Sequence, residues 1–425
     1  MDMDILAGPH VHIFLPDGSV SMRGNEIVGV SGRVSRVLEP IVLSLADMFQ
    51  SQHVPFAVVR PQKQRLYNFS GGGVAIFIGI DTFTGRKYPF GKLQVNKTSA
   101  ILYQTEPLAV SRCWEMGWEY LRRALSQLSL TSVELWDYSH ANLKAIRRSA
   151  ASPRSGPMRC LPPKLGRRIN QSSGADRVVL RHVPPGFSPA LVAAATSRHH
   201  GQQDHLSHIA PTGSGSTVGG GGSDSIGSSS GSTGSSSGSS SSPPWDGRLA
   251  FLGHSQYRPA KCWTALNGSD GWAATQIVEV RAWTLSALQP LLARHLAWLN
   301  MHQHCADSSS PLEAFRLAAL LSNGAAVLSE LSDADDMRVY DGLVTFCNFT
   351  ALRSCHASLR SQELTKRRSI GMAAAYATRS SAFAQRFAMN RLCARARCTE
   401  GVLNGMMKSA TPRYYLAISE SSTTP

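Results

Sequence analysis

The sequence predicts an α/β fold in two domains, each built on a mostly parallel sheet. Short apolar runs rich in β-branched residues alternate with helical patterns along the chain, as they do in βαβ units. The chain has 425 residues and is 42% apolar, which is enough for two hydrophobic cores of ordinary size. A run of Gly, Ser and Thr at 212–244 separates the two halves.

These observations predict four segments. Residues 1–190 form an N-terminal Rossmann-like domain, and residues 191–247 form a low-complexity linker or insertion. Residues 248–361 form a C-terminal domain, and residues 362–425 form a basic helical segment and tail. Because Gly and Ser bury little apolar surface, we expect the insertion to be disordered.

The N-terminal half contains six apolar runs with the length and composition of buried strands. Helical patterns at 34–50 and 111–128 lie between some of them, and Pro40 is a possible kink or break in the first. Residues 145–175 are rich in Arg, Ser and Pro and are expected to leave the core. The predicted strands are 10–16, 26–30, 55–59, 74–80, 99–105 and 132–139.

The C-terminal half repeats the alternation. Residues 285–300 are either one helix or a helix leading to a short strand, and a further helix is expected from about Thr350. The polar residues 333–336 read as a loop. The predicted strands are 248–253, 276–283, 325–328 and 342–346.

One helix of this half carries both a start and a stop signal. Leu312, Phe315 and Leu320 recur at helical spacing, 308–310 offers capping serines, and Asn323 with Gly324 provides a left-handed end. The helix leads into a buried strand that ends near Glu330. Such a loop, helix and strand expose helix amides and an acid to a common crevice.

Charge and cysteine usage restrict the class of protein. Lys and Arg number 43 against 28 Asp and Glu, a net charge of +15 that suits anionic partners such as phosphates. No apolar run reaches the length of a membrane span, and the N-terminus lacks the basic start of a signal peptide. The eight cysteines contain no CxxC pair, so we expect reduced thiols in a cytoplasmic protein.

Five sequence motifs occur in the order found in one protein family. ILYQTEP (101–107) and ELWDYSHAN (134–142) are followed by VPPGFSP (183–189) and LAFLGHSQYRP (249–259). The fifth motif is the stretch 299–346, which contains LNMH, LEAFRLAALLSNGAAVLSE and VYDGLVTF in that order. Together they resemble GT-B glycosyltransferases, in particular the bacterial spore-maturation-protein-type, glycosyltransferase family 1-like group. The long spacer between VPPG and FLG departs from the family pattern.

The resemblance implies an enzyme that transfers a sugar from a nucleotide-diphosphate sugar to an unidentified acceptor. It implies two Rossmann-like domains of GT-B type, a donor site in the cleft between them, and no metal or other cofactor. It also implies that a C-terminal helix crosses back to the first domain. The alternative is a glycosyltransferase-like module that has lost catalysis and binds a nucleotide or a protein.

Other classes find less support in the sequence. It has no GxSxG elbow and no GxGxxG loop, which argues against hydrolases and dehydrogenases. It has no aromatic and basic RNA-binding motif, which argues against nucleic acid as a partner. His302 and His304 form an HxH pair without a third ligand at useful spacing, so no metal site is predicted.

The donor-side candidates lie after strands or at the start of a helix. A strand meets a turn at Gly253, and Arg258 and Lys261 bring positive charge that suits a diphosphate. Asn300 and His302 occupy the loop before the 312–320 helix.

Three more donor-side candidates follow that loop. By resemblance, Glu313 holds the donor ribose, although a helix-start acid is also stabilised by the helix dipole alone. Arg316, one turn on, either reaches a phosphate or pairs with Glu313. Glu330, at a strand end, is either a cleft residue or a cap on the next turn. Related enzymes use an acid pair eight residues apart, and Cys305 stands where the partner of Glu313 would be.

On the acceptor side, Glu106 and Asp137 end apolar strands and are the candidate catalytic bases. Either acid could instead hold its loop together. Asp137, followed by Tyr138 and Ser139, is well suited to an Asx turn.

Overall fold

The structure is a computed structural model. It describes residues 3–5, 11–15, 20–23, 26–30, 38–51, 56–59, 66–68, 74–79, 99–108, 113, 115–128, 133–151, 160–171, 177–188, 191, 247–282, 285–295, 297–302, 304–359, 373 and 375–377. The predicted disordered run at 212–244 and most of the basic segment after 361 lie outside these residues.

Fifteen strands are present in the described part of the chain. In chain order they are β1 Met3–Ile5, β2 Val11–Phe14, β3 Val20–Arg23, β4 Glu26–Val30, β5 Phe56–Val59, β6 Leu66–Asn68, β7 Val74–Ile78, β8 Ser99–Gln104, β9 Val133–Asp137, β10 Val178–His182, β11 Leu249–Leu252, β12 Ile277–Val280, β13 Ala297–Asn300, β14 Ala326–Glu330 and β15 Val344–Cys347.

The helices of the same residues alternate with the strands of the two main sheets. They are α1 Glu39–Ser51, α2 Met116–Gln127, α3 His140–Ala151, α4 Pro163–Asn170, α5 Ala260–Asn267, α6 Trp272–Gln276, α7 Leu285–Arg294, α8 Ala314–Ser322, α9 Ala334–Val339 and α10 Leu352–Leu359.

Two parallel sheets carry the fold, which confirms the predicted α/β class. The first, sheet A, has six strands in the order β10-β9-β8-β7-β2-β5. The second, sheet B, has five strands in the order β12-β11-β13-β14-β15. The remaining strands form two small pairs, β1 with β6 and the antiparallel β3 with β4. Two parallel sheets of this kind are compatible with two Rossmann-like domains.

The apolar composition of the strands follows from their position. β7, β9 and β14 are buried along their whole length, because helices cover parallel sheets on both faces. Helix α1 shows the complementary pattern, with Ile41, Leu45 and Met48 on its buried side. Pro40 is the second residue of α1, where a missing amide costs no helical hydrogen bond, so it neither kinks nor breaks the helix.

The two sheets share one hydrophobic cluster. Leu43 and Ala46 of α1 and Tyr138 after β9 are buried together with Trp298 of β13 in sheet B and Leu317 of α8. Tyr376 belongs to the same cluster, and its hydroxyl donates to the Pro185 carbonyl oxygen at 2.9 Å. The described part of the C-terminal segment therefore contacts the stretch that follows β10.

Two local predictions are wrong in ways that packing explains. Of the predicted excursion at 145–175, the described residues 145–151 and 160–171 do not leave the core, because α3 and α4 bury Ile146, Leu165 and Arg168. The Arg168 guanidinium donates to the carbonyls of Leu125 and Leu128 at the end of α2, which satisfies a buried charge-bearing group. The loop predicted at 333–336 is the N-cap and first turn of α9, with the Asp333 carboxylate accepting from the Asp335 amide.

Helix α8 starts later than predicted. It begins at Ala314 with Glu313 at the N-cap position, so the serines at 308–310 do not cap it. Its end agrees with the sequence signal, since Gly324 follows with a φ of 70°. Within 285–300, the reading as a helix leading to a short strand is correct, as α7 is followed by β13.

The expectation of reduced thiols is wrong for six of the eight cysteines. Disulfides join Cys113 to Cys160, Cys262 to Cys305, and Cys347 to Cys355. The other two cysteines lie outside the described residues. Cytoplasmic localisation remains a prediction, and stable disulfides argue against it because they persist in oxidising compartments. No helix of the described residues is long and apolar enough to cross a bilayer.

Candidate functional site

The strand order of sheet B creates a crevice at one place. The chain leaves β11 for β12 on one side and then crosses to β13 on the other side of β11. The loops that follow β11 and β13 therefore diverge at the carboxyl edge of the sheet, which is where open parallel sheets bind ligands. The loop after β11 contains Gly253 and Arg258, and the loop after β13 contains His302 and Cys305.

Gly253 is needed for close packing at the start of the first loop. A Cβ at this position would lie 2.8 Å from the ring of Phe251, which is closer than side-chain atoms approach. The Gly253 amide donates to the Val280 carbonyl at 3.0 Å and so aligns the loop with the end of β12. Lys261, by contrast, is exposed at the start of α5 and takes no part in the contacts described next.

Two arginines converge on one carbonyl in the crevice. Arg258 Nη2 donates to the Met301 oxygen at 3.0 Å, and Arg316 Nη1 donates to the same oxygen at 3.5 Å. Glu313 Oε1 lies 3.9 Å from Arg258 Nη2 and 3.6 Å from Arg316 Nη1. Burial and the neighbouring Arg316 lower the pKa of Arg258 to about 10, so it stays charged at neutral pH. The pair carries two positive charges against the single charge of Glu313.

Glu330 holds the β13 loop from the end of β14. One carboxylate oxygen accepts from the His302 amide, and the other accepts from the Ala306 amide at 2.8 Å. Glu330 is 1% exposed, and burial raises its pKa to about 7 despite these hydrogen bonds. These contacts hold the loop before β14 and do not cap the turn after it, so they differ from the predicted cap on the next turn, and a role of Glu330 in the cleft stays a prediction.

Asn300 and His302 keep polar atoms unused at the same edge. Asn300 Nδ2 donates to Ser329 Oγ at 3.0 Å, while its Oδ1 is buried without a partner among the described residues. Burial lowers the pKa of His302, which favours the neutral ring; Nε2 lies 3.1 Å from the Leu331 oxygen. Its Nδ1 also has no partner within the described chain. Unsatisfied buried atoms are uncommon and are typical of sites that take a ligand or water.

On sheet A, Glu106 and Asp137 are linked through one side chain. Asn142 Nδ2 donates to the Glu106 carbonyl and to Asp137 Oδ1, each at 3.0 Å. Asp137 Oδ1 also accepts from the Ser139 amide at 2.9 Å, which is the expected Asx turn. Asp137 Oδ2 is buried with no partner in the described residues, and burial raises the Asp137 pKa well above its usual value.

Residues that follow β9 contact helices and a loop of the C-terminal half directly. The Asp336 carboxylate accepts from Ser139 Oγ, from the His140 amide, and from the Leu312 amide at 3.3 Å. The Tyr138 ring packs on Phe315 of α8 with centroids 4.4 Å apart. Segments that follow the carboxyl ends of strands in the two sheets are thereby joined. Burial and the charges of Glu313, Asp137 and Glu106 raise the pKa of Tyr138, so all three acids act on this tyrosine.

Charged contacts at the rim also join the two halves of the chain. Lys144 of α3 lies 2.6 Å from Asp333 Oδ1 and 2.7 Å from Asp335 Oδ2. On another side, His304 Nε2 lies 3.5 Å from Glu115 Oε1.

Sequence reasoning missed two parts of this arrangement. The first is the bridging role of Asp336, which depends on helix α9. The sequence does carry a signal for this helix, because an Asp at the N-cap followed by acids in the first turn is typical of a helix start. The Cys262–Cys305 disulfide ties α5 to the β13 loop, at the position where the resembled family would have an acid. No sequence spacing points to this pairing.

The raised pKa of Glu330 predicts a pH dependence of stability. Its folded pKa of about 7 exceeds the ordinary value of 4.5, so between these pH values the folded state binds more protons than the unfolded state. Stability should therefore fall as pH rises from about 4.5 to 7. Urea unfolding at several pH values should show this slope in the wild type and a shallower slope in Glu330→Gln.

Asp336, whose folded pKa is raised to about 6, contributes to the same fall in stability with pH. Its contribution is present in the wild type and remains in Glu330→Gln. An identical slope in Glu330→Gln and wild type would show that Glu330 keeps its ordinary pKa in the folded chain.

Comparison with known proteins adds no assignment. Neither a scan against protein-family models nor a search of curated proteins found a match. Within the described residues, no group of three or more His, Cys, Asp or Glu side chains is placed to hold a metal ion.

Proposed function

We propose that this chain is a glycosyltransferase of GT-B type, which transfers a sugar from a nucleotide-diphosphate sugar to an acceptor. The observation that supports it most is the Arg258, Arg316 and Glu313 cluster at the switch point of sheet B. The donor would lie between the two carboxyl edges, and the acceptor would enter from the side of sheet A.

The chemistry of sugar transfer matches these side chains. Departure of the nucleotide diphosphate develops negative charge, which prepositioned guanidinium groups stabilise without reorganisation. Both arginines are already held by the Met301 carbonyl, so little ordering is required when a diphosphate binds. Glu313 can accept hydrogen bonds from ribose hydroxyls while it remains close to the arginines.

The acceptor side requires a group that takes up a proton. Asp137 Oδ2 is an unused acceptor, and its raised pKa makes the carboxylate a stronger base than an exposed aspartate. Glu106 is partly buried nearby, and its charge contributes to the raised pKa of Tyr138. These two acids are the proposed acceptor-side residues.

The proposal predicts a selective effect of Glu313→Gln. A panel of UDP-, GDP-, ADP- and TDP-sugars should contain at least one that raises the melting temperature of the wild type and is slowly hydrolysed. Glu313→Gln should weaken binding of that donor about tenfold, because it removes charge-assisted hydrogen bonds to the ribose. Glu119→Gln, which removes an exposed acid paired with Arg123, is the matched control and should bind normally.

Two outcomes would reject the proposal. If no nucleotide sugar stabilises the wild type, the chain has no donor site. If Glu313→Gln and Glu119→Gln bind the donor equally well, Glu313 does not contact it.

A second candidate function is a nucleotide- or protein-binding module without catalysis. It is favoured by the use of Glu330 and of Asp137 Oδ1 in holding loops, and by the disulfide at Cys305. This function predicts nucleotide-sugar stabilisation with neither donor hydrolysis nor transfer to any acceptor.

A further inference from the structure

A second cavity lies beside β12, the edge strand of sheet B. Its volume is 740 Å³, which is in the range of small-molecule sites. Its lining comes entirely from the C-terminal half, and only Arg258 is shared with the cluster described above. The lining residues are Ser255, Gln256, Arg258, Ala260, Trp263, Thr264, Asn267, Ala273, Ala274, Ile277 and Glu279.

One face of α5 forms the main wall. Ala260, Trp263, Thr264 and Asn267 follow the spacing i, i+3, i+4 and i+7, which places them on one side of the helix. The hydrophobic core of sheet B takes a different side of the helix, through Cys262 and Leu266. Trp263 also packs against that core, with its ring centroid 5.6 Å from that of Phe251, whereas Ala260 and Thr264 are exposed. The wall facing the cavity is therefore of mixed polarity.

Trp263 presents apolar surface to this cavity. Its Nε1 donates to the Ser255 carbonyl at 3.1 Å, so the only polar atom of the indole is already bonded. Ala260, Ala273 and Ile277 extend the apolar part of the lining. A ligand with one C–H-rich face fits such a surface.

Glu279 supplies a carboxylate beside the apolar wall. It accepts from the Ser255 amide at 3.1 Å and from Arg281 Nε, and its side chain is 24% exposed. These bonds fix the carboxylate, and His254 Nδ1 lies 3.8 Å from Oε1. The two oxygens together have about four acceptor positions, and those not taken by Ser255 and Arg281 are open to a ligand. Burial raises the pKa of Glu279, but hydrogen bonds from Ser255 and Arg281 outweigh it and lower the pKa, which keeps the carboxylate ionised at neutral pH.

The position of Glu279 in the sheet has a chemical meaning. It lies near the carboxyl end of the second strand of sheet B, and its carboxylate bonds the loop that follows Gly253 after the first strand. In doubly wound sheets an acid at this position accepts hydrogen bonds from the hydroxyls of a ribose.

We propose that the β12 cavity binds a sugar ring through a vicinal diol, with Glu279 accepting from two adjacent hydroxyls and Trp263 contacting the C–H face. The ring is either the ribose of a nucleoside or a pyranose unit of a glycan, since both offer the same diol. This site is separate from the proposed transferase cleft. Neither ligand carries a phosphate, so its binding does not require the arginine cluster that is proposed to hold the diphosphate.

The test uses uncharged probes with the full chain. Saturation-transfer NMR and calorimetry would measure the binding of adenosine, 2′-deoxyadenosine and methyl α-D-mannopyranoside. Binding of adenosine with at least tenfold weaker binding of 2′-deoxyadenosine identifies ribose. Binding of the mannoside identifies a glycan. In either case Glu279→Gln should weaken binding at least tenfold.

Two variants keep the test informative if Glu279→Gln folds poorly. Thr264→Trp places a large ring next to Trp263 on the wall of α5, where it obstructs the proposed ring-binding surface and should abolish binding. Asp270→Asn removes an acid outside the cavity that pairs with Arg353, and should leave binding unchanged. The proposal is overturned if no probe binds, or if bound probe survives both Glu279→Gln and Thr264→Trp.

The result is separable from that of the proposed transferase function. Arg316→Gln should weaken nucleotide-sugar binding and leave adenosine or mannoside binding unchanged, since Arg316 does not line the cavity. Loss of the uncharged probes alone rejects the cavity proposal, whereas loss of nucleotide-sugar stabilisation alone rejects the transferase proposal.

Discussion

Arg258→Met is expected to weaken nucleotide-sugar binding by about a hundredfold, or roughly 3 kcal/mol. The Arg258 side chain is 5% exposed, it is anchored on the Met301 carbonyl, and Glu313 lies 3.9 Å away. A buried and prepositioned guanidinium binds a diphosphate at little entropic cost. Methionine keeps the apolar contact with Phe251, whose ring lies 5.0 Å from the guanidinium carbon, but removes the charge and the donors.

Lys261→Met is the matched control for this change. It removes the same charge three residues away from an exposed side chain, so it should alter the dissociation constant less than threefold. Calorimetry with the tightest-binding nucleotide sugar of the panel measures the dissociation constants of both variants. The titrations are carried out well below the melting temperature of each variant. Equal losses in the two variants would show that only general positive charge matters and would remove Arg258 from the proposed site.

The second large effect is expected from Asp336→Ala. The variant should lose about 3 kcal/mol of unfolding free energy, because it leaves buried donors without a partner. Those donors are Ser139 Oγ and the amides of His140 and Leu312. Ser139 and His140 follow a strand of sheet A, whereas Leu312 lies between two strands of sheet B. Asp336 is 2% exposed, so water does not replace the lost acceptor.

Asp335→Asn is the comparison for Asp336→Ala. Asp335 pairs with Lys144 and Arg338 at the exposed rim, where ion pairs contribute little, so its unfolding curve should resemble the wild type. Urea denaturation of the three proteins at pH 7 measures the difference. If Asp336→Ala unfolds at the wild-type midpoint, the contact between the edges of the sheets does not depend on that carboxylate.

Much of the fold can be predicted from local patterns. The run after Gly324 is apolar and short, and it forms β14 because a strand covered on both faces needs an uninterrupted apolar sequence. Failures occurred where polar residues serve long-range contacts. Residues 145–175 look like an excursion because of their arginines, yet Arg168 is buried against carbonyls at the end of α2, some 40 residues earlier.

The candidate site divides in the same way. Glu313 and Arg316 lie three positions apart at the start of α8, so their proximity follows from helix geometry. The addition of Arg258 does not, since it comes from the loop after β11 and reaches Glu313 only because β11 and β13 are neighbours in sheet B. The sequence placed these residues among the candidates without showing that they meet.

By itself, the sequence determined the α/β class, most strands and helices, and the acids and arginines that stand at strand ends and a helix start. Periodicity and turn chemistry act over a few residues, so they are visible in one chain. The tertiary structure alone decided the disulfide at Cys305, the use of Glu330 to hold a loop, and the bridge from Asp336 to Ser139. Each of these joins residues that are 24 or more positions apart, and only the strand order and the packing of the sheets bring such residues together.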